Sequence, residues 1–337
     1  MIETSSKIKA PTLVDPFGRT IDYLRLSVTD RCNLRCTYCM AEDMTFLPKQ
    51  QILSLEELHD TAAAFVELGI RKIRLTGGEP LIRRNIVKLV SLLTALPGLD
   101  EVTMTTNGLL LPTMAQPLKE AGLSRLNISI DSLKSERFKQ LTRVGNLEEV
   151  IAGINAATVA GFKKVKLNAV IMAGFNDDEV IDLAKFAVDQ GLDISFIEEM
   201  PLGEIDSHQR VKTQITSSNL REKLASEFNL INSAETTGGP SRYLQVANSD
   251  SKIGFISPMS NNFCESCNRV RLTAEGRLLL CLGNEHSMDL RELLRSYPGD
   301  RNLLKSKITE ALKTKPERHY FDPEQVDILR FMNMTGG

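Results

Sequence analysis

The stretch 23–39, YLRLSVTDRCNLRCTYC, joins a predicted β-strand to a close group of three cysteines. Residues 24–28 alternate between apolar and polar side chains, which is typical of a strand with two different faces. The group that follows, Cys32, Cys36 and Cys39, has spacers of three and two residues and no fourth cysteine nearby. Three structures suit such a group: a zinc site, a disulfide framework, or an iron–sulfur cluster with one iron that lacks a protein ligand.

The composition of the chain and its expected location limit the choice among these three structures. The chain has 337 residues, of which 42% are hydrophobic and 25% charged, as in a soluble protein with a substantial core. A net charge of −2 gives no overall attraction to nucleic acid or to a membrane surface, so we expect neither partner. We find no apolar run of membrane-spanning length and no signal-peptide core, and we expect a cytoplasmic protein. Thiols stay reduced there, which disfavours a disulfide framework.

Six short strand-like runs alternate with helical patterns between residue 21 and about residue 200. The first helix is expected to open with a capping box formed by Ser54 and Glu57 and to end near Gly69. Successive strand–helix units predict an α/β fold with a parallel sheet, either open or curled into a partial barrel. The predicted strands are 23–28, 72–76, 101–105, 125–130, 164–170 and 193–199.

One face of these strands is apolar, whereas the other carries cations, hydroxyls and amides. A closed barrel fills its interior with packed apolar side chains, and burying isolated polar groups costs several kcal/mol each. The pattern therefore predicts a cavity for a polar, negatively charged ligand, with a solvated sheet face as the alternative. The polar face comprises Arg25, Ser27, Arg74, Thr76, Thr103, Thr105, Asn127, Ser129, Asp131, Lys164, Lys166 and Asn168.

The character of the chain changes after a predicted linker at 232–240. Two strands are predicted at 242–247 and 252–257, followed by a hairpin over 269–281 that turns at Glu275-Gly276, and then two short helices. This smaller α+β region is expected to close the open side of the sheet. The predicted organisation is an N-terminal arm (1–20), a core (21–230) and a C-terminal region (231–337).

The remaining cysteines form a second group of three, Cys264, Cys267 and Cys281. His286 follows five residues later, so a zinc site with three cysteines and one histidine is conceivable here, as is a single six-thiol metal cluster. Two 4Fe–4S clusters account for all six cysteines, with one iron in each open to a non-protein ligand. Open metal positions generally bind substrates or cofactors.

The C-x3-C-x2-C motif directly after a strand resembles the signature of the radical S-adenosylmethionine (SAM) superfamily. The segment TGGEP (76–80) resembles the glycine-rich segment of that superfamily. The segment FCESCNRVRLTAEGRLLLCL (263–282) and the terminal Gly-Gly are similar to those of the GTP 3′,8-cyclase family. This resemblance runs from about residue 15 to the end of the chain. It implies a partial (β/α)6 TIM-like barrel whose open side the C-terminal region closes.

The resemblance also implies two 4Fe–4S clusters, SAM, and a role for particular residues. Each cysteine triad would hold one cluster, the first with Cys32, Cys36 and Cys39, the second with Cys264, Cys267 and Cys281. The expected SAM contacts are Tyr38, Gly78, Ser129 and Met200. The expected GTP contacts are Arg25, Arg74, Thr105, Lys166, Arg269, Val270 and Arg271. The expected catalytic residues are Arg269, Arg271, Gly336 and Gly337, the glycines ending a tail that reaches the active site.

The implied reaction is that of a lyase acting first in molybdenum cofactor biosynthesis. A 5′-deoxyadenosyl radical would remove the C3′ hydrogen of GTP, and C3′ would bond to C8 to give (8S)-3′,8-cyclo-7,8-dihydroguanosine 5′-triphosphate. The implied partners are a reducing electron donor, a downstream cyclic pyranopterin monophosphate synthase and a second copy of the chain in a homodimer. One departure from the family is Ala41, where many relatives have proline after the first motif.

Other interpretations stay open. The chain could be a two-cluster radical SAM maturase that acts on a peptide, a zinc-binding interaction module, or a nucleotide-binding regulator with redox-sensing clusters. The basic residues could be ordinary ion-pair partners or lie on a solvated strand edge. Met200 could simply fill the core, and the terminal glycines could be a frayed end.

Overall fold

The computed structural model describes residues 12–205, 210–322 and 328–336, and the strands within these residues form one twelve-stranded sheet. The strands are β1 (Tyr23–Ser27), β2 (Lys72–Thr76), β3 (Glu101–Thr106), β4 (Arg125–Ser129), β5 (Val165–Ile171), β6 (Asp193–Glu198), β7 (Leu230–Asn232), β8 (Arg242–Val246), β9 (Lys252–Ile256), β10 (Arg269–Leu272), β11 (Arg277–Leu279) and β12 (Ser287–Asp289). Residues 1–11 of the predicted arm and the terminal Gly337 lie outside the described residues.

Helices follow most of the first six strands and cover the outer face of the sheet. The α-helices of the described residues are α1 (Leu55–Glu67), α2 (Ile86–Thr94), α3 (Leu111–Glu120), α4 (Ser135–Thr142), α5 (Leu147–Val159), α6 (Val180–Asp189), α7 (Arg210–Thr213), α8 (Ser217–Ala225), α9 (Arg291–Ser296), α10 (Arg301–Leu312) and α11 (Met332–Thr335), of which the last three follow β12. None of the described helices is long and apolar enough to span a membrane.

The sheet is an open, partial barrel, as predicted. Its strand order is β12-β11-β10-β1-β2-β3-β4-β5-β6-β9-β8-β7, and β1 to β6 are parallel to their neighbours. The C-terminal strands extend both edges, because β9 pairs in parallel with β6 and β10 pairs in parallel with β1. The chain must therefore cross from one edge to the other between β9 and β10, through residues 257–268. This crossing carries Cys264 and Cys267 to the open side of the barrel.

The capping box predicted for α1 is present. The Ser54 hydroxyl accepts the backbone N–H of Glu57, whose carboxylate accepts the backbone N–H of Ser54. The helix ends before Gly69, which has φ of +110°, a conformation that glycine adopts without strain. Apolar side chains of the strands, such as Leu24 and Ile73, are fully buried against these helices. Burying each such side chain contributes about 1.5–3 kcal/mol relative to leaving it exposed.

The register of the strands sets the polar side chains in layers inside the barrel. In one layer, Arg25 lies opposite Arg74 on one side and Arg271 on the other. In the layer nearer the carboxyl ends of the strands, Ser129 lies opposite Asn168. Two residues along a strand span about 6.6 Å, so consecutive layers are separated by roughly this distance.

Candidate active site

The first cavity lies at the carboxyl ends of the parallel strands. The loop after β1 brings the first cysteine triad into its wall. The same wall contains every residue predicted to contact SAM, namely Tyr38, Gly78, Ser129 and Met200. The structure therefore brings together residues from four separate segments of the chain that only a sequence pattern had linked.

The glycine pair after β2 packs directly on the loop that leads to the first triad. The N–H of Gly78 donates to the Thr29 carbonyl at 2.8 Å. A Cβ on Gly78 would lie 2.3 Å from the Arg31 carbonyl oxygen, and a Cβ on Gly77 would lie 2.6 Å from that of Thr29. Real Cβ atoms essentially never approach so closely. These two positions therefore require glycine, because any side chain would displace the loop that carries Cys32.

The first triad is suited to a positively charged metal group. The Cys32 sulfur accepts the Leu34 N–H at 3.3 Å and the Asn107 side-chain amide at 3.9 Å. Burial and the neighbouring Cys39 raise the pKa of the Cys36 thiol well above its ordinary value. Burial raises the pKa of Cys32 to about 11. Metal binding requires thiolates, so a metal group bound here must displace these protons, and its positive charge would offset the cost of burying the thiolates.

Two buried carboxyl groups belong to this cavity. Glu79 accepts the Leu81 N–H at 2.9 Å, the Thr106 hydroxyl at 2.8 Å and the Asn107 N–H at 2.7 Å. Burial raises its pKa to about 7. Asp131 accepts the Tyr38 hydroxyl at 2.8 Å, and burial raises its pKa to about 6. Glu79 thus connects the ends of β2 and β3, while Asp131 orients a side chain within the cysteine motif.

The second cavity adjoins the first and is strongly basic. Arginine or lysine occupies five of its lining positions, and none of the described lining residues is Asp or Glu. It contains the second cysteine triad and every residue predicted to contact GTP, namely Arg25, Arg74, Thr105, Lys166, Arg269, Val270 and Arg271.

The cations of the second cavity repel one another. The pKa of Arg25 is held well below its ordinary value by burial and then by Arg271. Burial and Arg269 lower the pKa of Arg271 to about 10. Lys166, which donates to the Tyr243 hydroxyl at 3.2 Å, has its pKa lowered by burial. Buried cations without carboxylate partners are unfavourable, so a polyanion that entered this cavity would relieve their repulsion.

The second triad is assembled from two segments, the crossing that contains Cys264 and Cys267 and the end of β11, which Cys281 follows. Burial raises the pKa of Cys267, but Lys315 and Arg269 lower it by more, to about 7. Lys315 Nζ lies 3.8 Å from the Cys267 sulfur. All six cysteines of the chain are thiols, and each triad lines its own cavity.

The described residues contain no group of three His, Cys, Asp or Glu side chains that could hold a metal ion directly. His286, the conceivable fourth zinc ligand, is exposed and does not line the second cavity. His319 lies in the wall of that cavity instead, and its Nε2 is buried with no hydrogen-bond partner among the described residues.

The C-terminal tail reaches the second cavity. The Gly336 carbonyl accepts Arg271 Nη1 at 2.7 Å and Arg25 Nη2 at 3.2 Å. A Cβ on Gly336 would lie 2.2 Å from the Thr76 hydroxyl, and its φ is +73°. The position therefore needs glycine, as expected for a tail threaded between side chains. Gly337 lies outside the described residues.

Five residues line both cavities and form the boundary between them: Thr105, Asn168, Ile197, Met200 and Met332. Thr105 accepts Arg74 Nη1 at 3.2 Å. The buried side-chain oxygen of Asn168 has no hydrogen-bond partner among the described residues, and the same holds for Asn127 in the second cavity. These amides are available to a ligand that carries hydroxyl or amino groups.

Nine of the twelve residues on the predicted polar face line one or both cavities, whereas Ser27, Thr103 and Lys164 line neither. Lys164 is exposed and precedes the first residue of β5, so it lies outside both cavities. Thr103 is buried within β3, and its hydroxyl donates to the Ile73 carbonyl at 3.4 Å. The residues that the sequence did not single out include Lys315 and Asn333, which come from the C-terminal region and carry no spacing signal.

Two protein-family models match consecutive parts of the chain. The model described as Radical SAM superfamily matches residues 26–187, and the model described as Molybdenum Cofactor Synthesis C matches residues 192–321. The GTP 3′,8-cyclase of Pseudomonas putida (strain W619) is 62% identical over 96% of this chain and 98% of that protein. The GTP 3′,8-cyclase of Pseudomonas syringae pv. syringae (strain B728a) is 57% identical over 97% and 99%.

Among solved structures, the chain is similar in fold to SuiB of Streptococcus suis. SuiB bound to S-adenosylmethionine superposes with a TM-score of 0.59 at 17% identity, over 86% of this chain and 68% of that one. A second SuiB structure gives a TM-score of 0.61 at 16% identity, over 87% and 69%. At these identities the likeness concerns the fold alone.

Proposed function

This chain belongs to the GTP 3′,8-cyclase family of radical SAM proteins, and we propose that its two cavities divide the family's reaction between them. The first cavity binds SAM beside a 4Fe–4S cluster on the first triad. The second cavity binds GTP beside a 4Fe–4S cluster on the second triad. The division is supported by the distribution of charge, since carboxyl groups line the first cavity whereas cations line the second.

The chain is a lyase that converts GTP to (8S)-3′,8-cyclo-7,8-dihydroguanosine 5′-triphosphate in the first step of molybdenum cofactor biosynthesis. It uses SAM and two 4Fe–4S clusters. When bound, SAM and its cluster supply the radical that takes a hydrogen atom from C3′ of GTP. The protein contributes binding, orientation and the exclusion of water. A peptide as substrate is not favoured, because the relatives that span the full chain are GTP 3′,8-cyclases.

The observation that carries the assignment of GTP to the second cavity is its uncompensated positive charge. The chain as a whole has a net charge of −2, yet the described residues that line this cavity include five cations and no carboxylate. Arginine side chains bind phosphate groups through two parallel hydrogen bonds, and Arg25 and Arg271 are the buried pair nearest the tail. We assign the triphosphate to the cations and the base to the side of the second triad.

The boundary residues would bring the two reactants together. Asn168 lines both cavities, and its side-chain oxygen, which has no hydrogen-bond partner among the described residues, would accept a hydrogen bond from a ribose hydroxyl. Met200 and Met332 supply apolar surface on the same boundary, which would keep water from the reacting atoms. Holding reacting groups in one geometry can lower a barrier by about 7–11 kcal/mol. The Gly336 carbonyl would keep Arg25 and Arg271 in place at the edge of the site.

Further proposals concern partners and organisation. We propose a cytoplasmic homodimer that receives electrons from a reducing donor and passes its product to a cyclic pyranopterin monophosphate synthase. We also propose the division into an arm (1–20), a core (21–230) and a C-terminal region (231–337). The change of family model between residues 187 and 192 supports a division into two functional parts, and this change lies just before β6.

The test is anaerobic reconstitution with iron and sulfide, followed by incubation with SAM, dithionite and GTP. We expect the native chain to release 5′-deoxyadenosine and to consume GTP. The Cys36→Ser variant should release no 5′-deoxyadenosine, whereas Cys281→Ser should keep the first cluster and lose GTP turnover. The exposed Ser266, which lies between two cysteines of the second triad, provides a control as Ser266→Ala. The proposal would be contradicted if the native chain neither released 5′-deoxyadenosine nor consumed GTP.

A further inference from the structure

A buried lysine outside both sequence motifs contacts the second cysteine triad. Lys315 follows α10, and only 3% of its surface is exposed. Its ammonium donates to the Arg269 carbonyl at 3.1 Å and to the Leu280 carbonyl, and it lies 3.8 Å from the Cys267 sulfur. An ammonium group has three protons, so these three acceptors satisfy it.

The acceptors lie on both segments that form the triad. Arg269 follows Cys267 by two residues, and Leu280 directly precedes Cys281. One ammonium group therefore ties the crossing before β10 to the end of β11. If this tie were removed, the carbonyls of Arg269 and Leu280 would lose this donor.

The charge of Lys315 has no carboxylate to balance it. No Asp or Glu in the described part of the chain forms an ion pair with Lys315, whereas the neighbouring Arg19 is paired with Asp15. A buried, unpaired ammonium is strongly unfavourable. The nearest source of negative charge is the thiolate form of the triad itself, so the lysine is suited to a triad that carries an anionic cluster.

We propose that Lys315 is a positioning residue for the second cluster, which joins the two cysteine segments and offsets the negative charge of their thiolates. This inference rests on the proposed function, in which the second triad holds a cluster. Hydrogen bonds to sulfur and net local charge set the reduction potential of iron–sulfur clusters. The donors to Cys32 in the first triad are neutral amides. Lys315 therefore places the reduction potential of the second cluster above the value that the same thiols would give alone.

The experiment uses the full-length chain with Cys32, Cys36 and Cys39 all replaced by alanine, so that only the second cluster forms. In this background we compare Lys315→Met, Lys315→Gln and Lys315→Arg with Lys313→Met, which alters an exposed lysine two residues away. Circular dichroism reports folding, iron per chain reports cluster content, and a redox titration followed by electron paramagnetic resonance gives the midpoint potential.

We expect Lys315→Gln, which can still donate hydrogen bonds, to retain the cluster with a more negative midpoint potential than the control. Lys315→Arg should lie closer to the control, and Lys315→Met should release iron to a chelator several-fold faster. If Lys315→Met does not fold, the Gln and Arg pair still separates charge from hydrogen bonding. Midpoint potentials equal to that of Lys313→Met in folded Gln and Arg variants would overturn the inference. A folded control that binds no iron would instead overturn the assignment of a cluster to the second triad.

Discussion

Replacing Gly78 by alanine tests how the glycine segment positions the first triad. The substitution adds one methyl group to the wall of the first cavity and changes no charge. Its Cβ would lie 2.3 Å from the Arg31 carbonyl oxygen and 2.7 Å from the Asp30 carbonyl oxygen. Both neighbours are backbone atoms, so no side chain can rotate away. The loop leading to Cys32 must move instead.

The size of the effect follows from this overlap. Cβ contacts shorter than 3.0 Å are essentially absent from real structures, so the loop must retreat by at least 3.0 − 2.3 = 0.7 Å. Overpacking of this kind costs about 1–3 kcal/mol. A displacement near 1 Å at a reacting centre can reduce a rate by about 100-fold. We therefore expect Gly78→Ala to bind SAM at least tenfold more weakly and to form 5′-deoxyadenosine about 100-fold more slowly.

The assay is anaerobic equilibrium dialysis with SAM, together with single-turnover formation of 5′-deoxyadenosine. Gly239→Ala is a matched control, since its Cβ would meet nothing closer than the Thr237 hydroxyl at 3.8 Å and its φ is not positive. Iron content shows whether the first cluster still forms. If Gly78→Ala and Gly239→Ala bound SAM equally well, the close approach of the glycine segment would not matter for the cofactor, and the reasoning would fail.

Two further predictions use the buried charges of the two cavities. Arg271→Met removes a guanidinium group and its 2.7 Å hydrogen bond to the Gly336 carbonyl. Anaerobic dialysis should show GTP binding weakened at least tenfold, which is about 1.4 kcal/mol, while the affinity for SAM stays unchanged. An equal loss of affinity for both ligands would contradict this prediction. Burial raises the pKa of Glu79 from 4.5 to about 7, so the folded chain keeps a proton that the unfolded chain has released. The free energy of unfolding should therefore fall as the pH rises from about 4.5 to about 7, by up to about 3 kcal/mol from this group. Denaturant titrations at pH 5 and pH 8 should show this contribution missing in Glu79→Gln, and an identical pH dependence in both proteins would refute it.

Much of the fold could be predicted because the relevant signals are local. The strand alternation of β1 to β5 and the capping box of α1 depend on residues close together in sequence, and they appear as expected. The addition of β9 and β10 to opposite edges could not be predicted, since it depends on pairing between distant segments. The strands β7 and β12 have three residues each and are too short to show a period.

The residues of the site likewise fall into those that the sequence could predict and those that it could not. Cys32 and Arg25 stand out through motif spacing and strand alternation, and both line the cavities expected of them. Lys164 fits the same alternation but lies before the first residue of its strand, where the barrel interior has not begun. Lys315 was missed because a lone lysine after a helix resembles any solvated lysine. Only the structure reveals that the segment after α10 buries this lysine beside Cys267.

The most direct test of the account follows one hydrogen atom across the boundary between the two cavities. The reconstituted chain would be incubated with SAM, dithionite and GTP deuterated at C3′ of the ribose, and the 5′-deoxyadenosine would be analysed by mass spectrometry. The account predicts deuterium in the 5′-deoxyadenosine, because the second cavity presents C3′ to the SAM bound in the first. Unlabelled 5′-deoxyadenosine formed while GTP is consumed would contradict it.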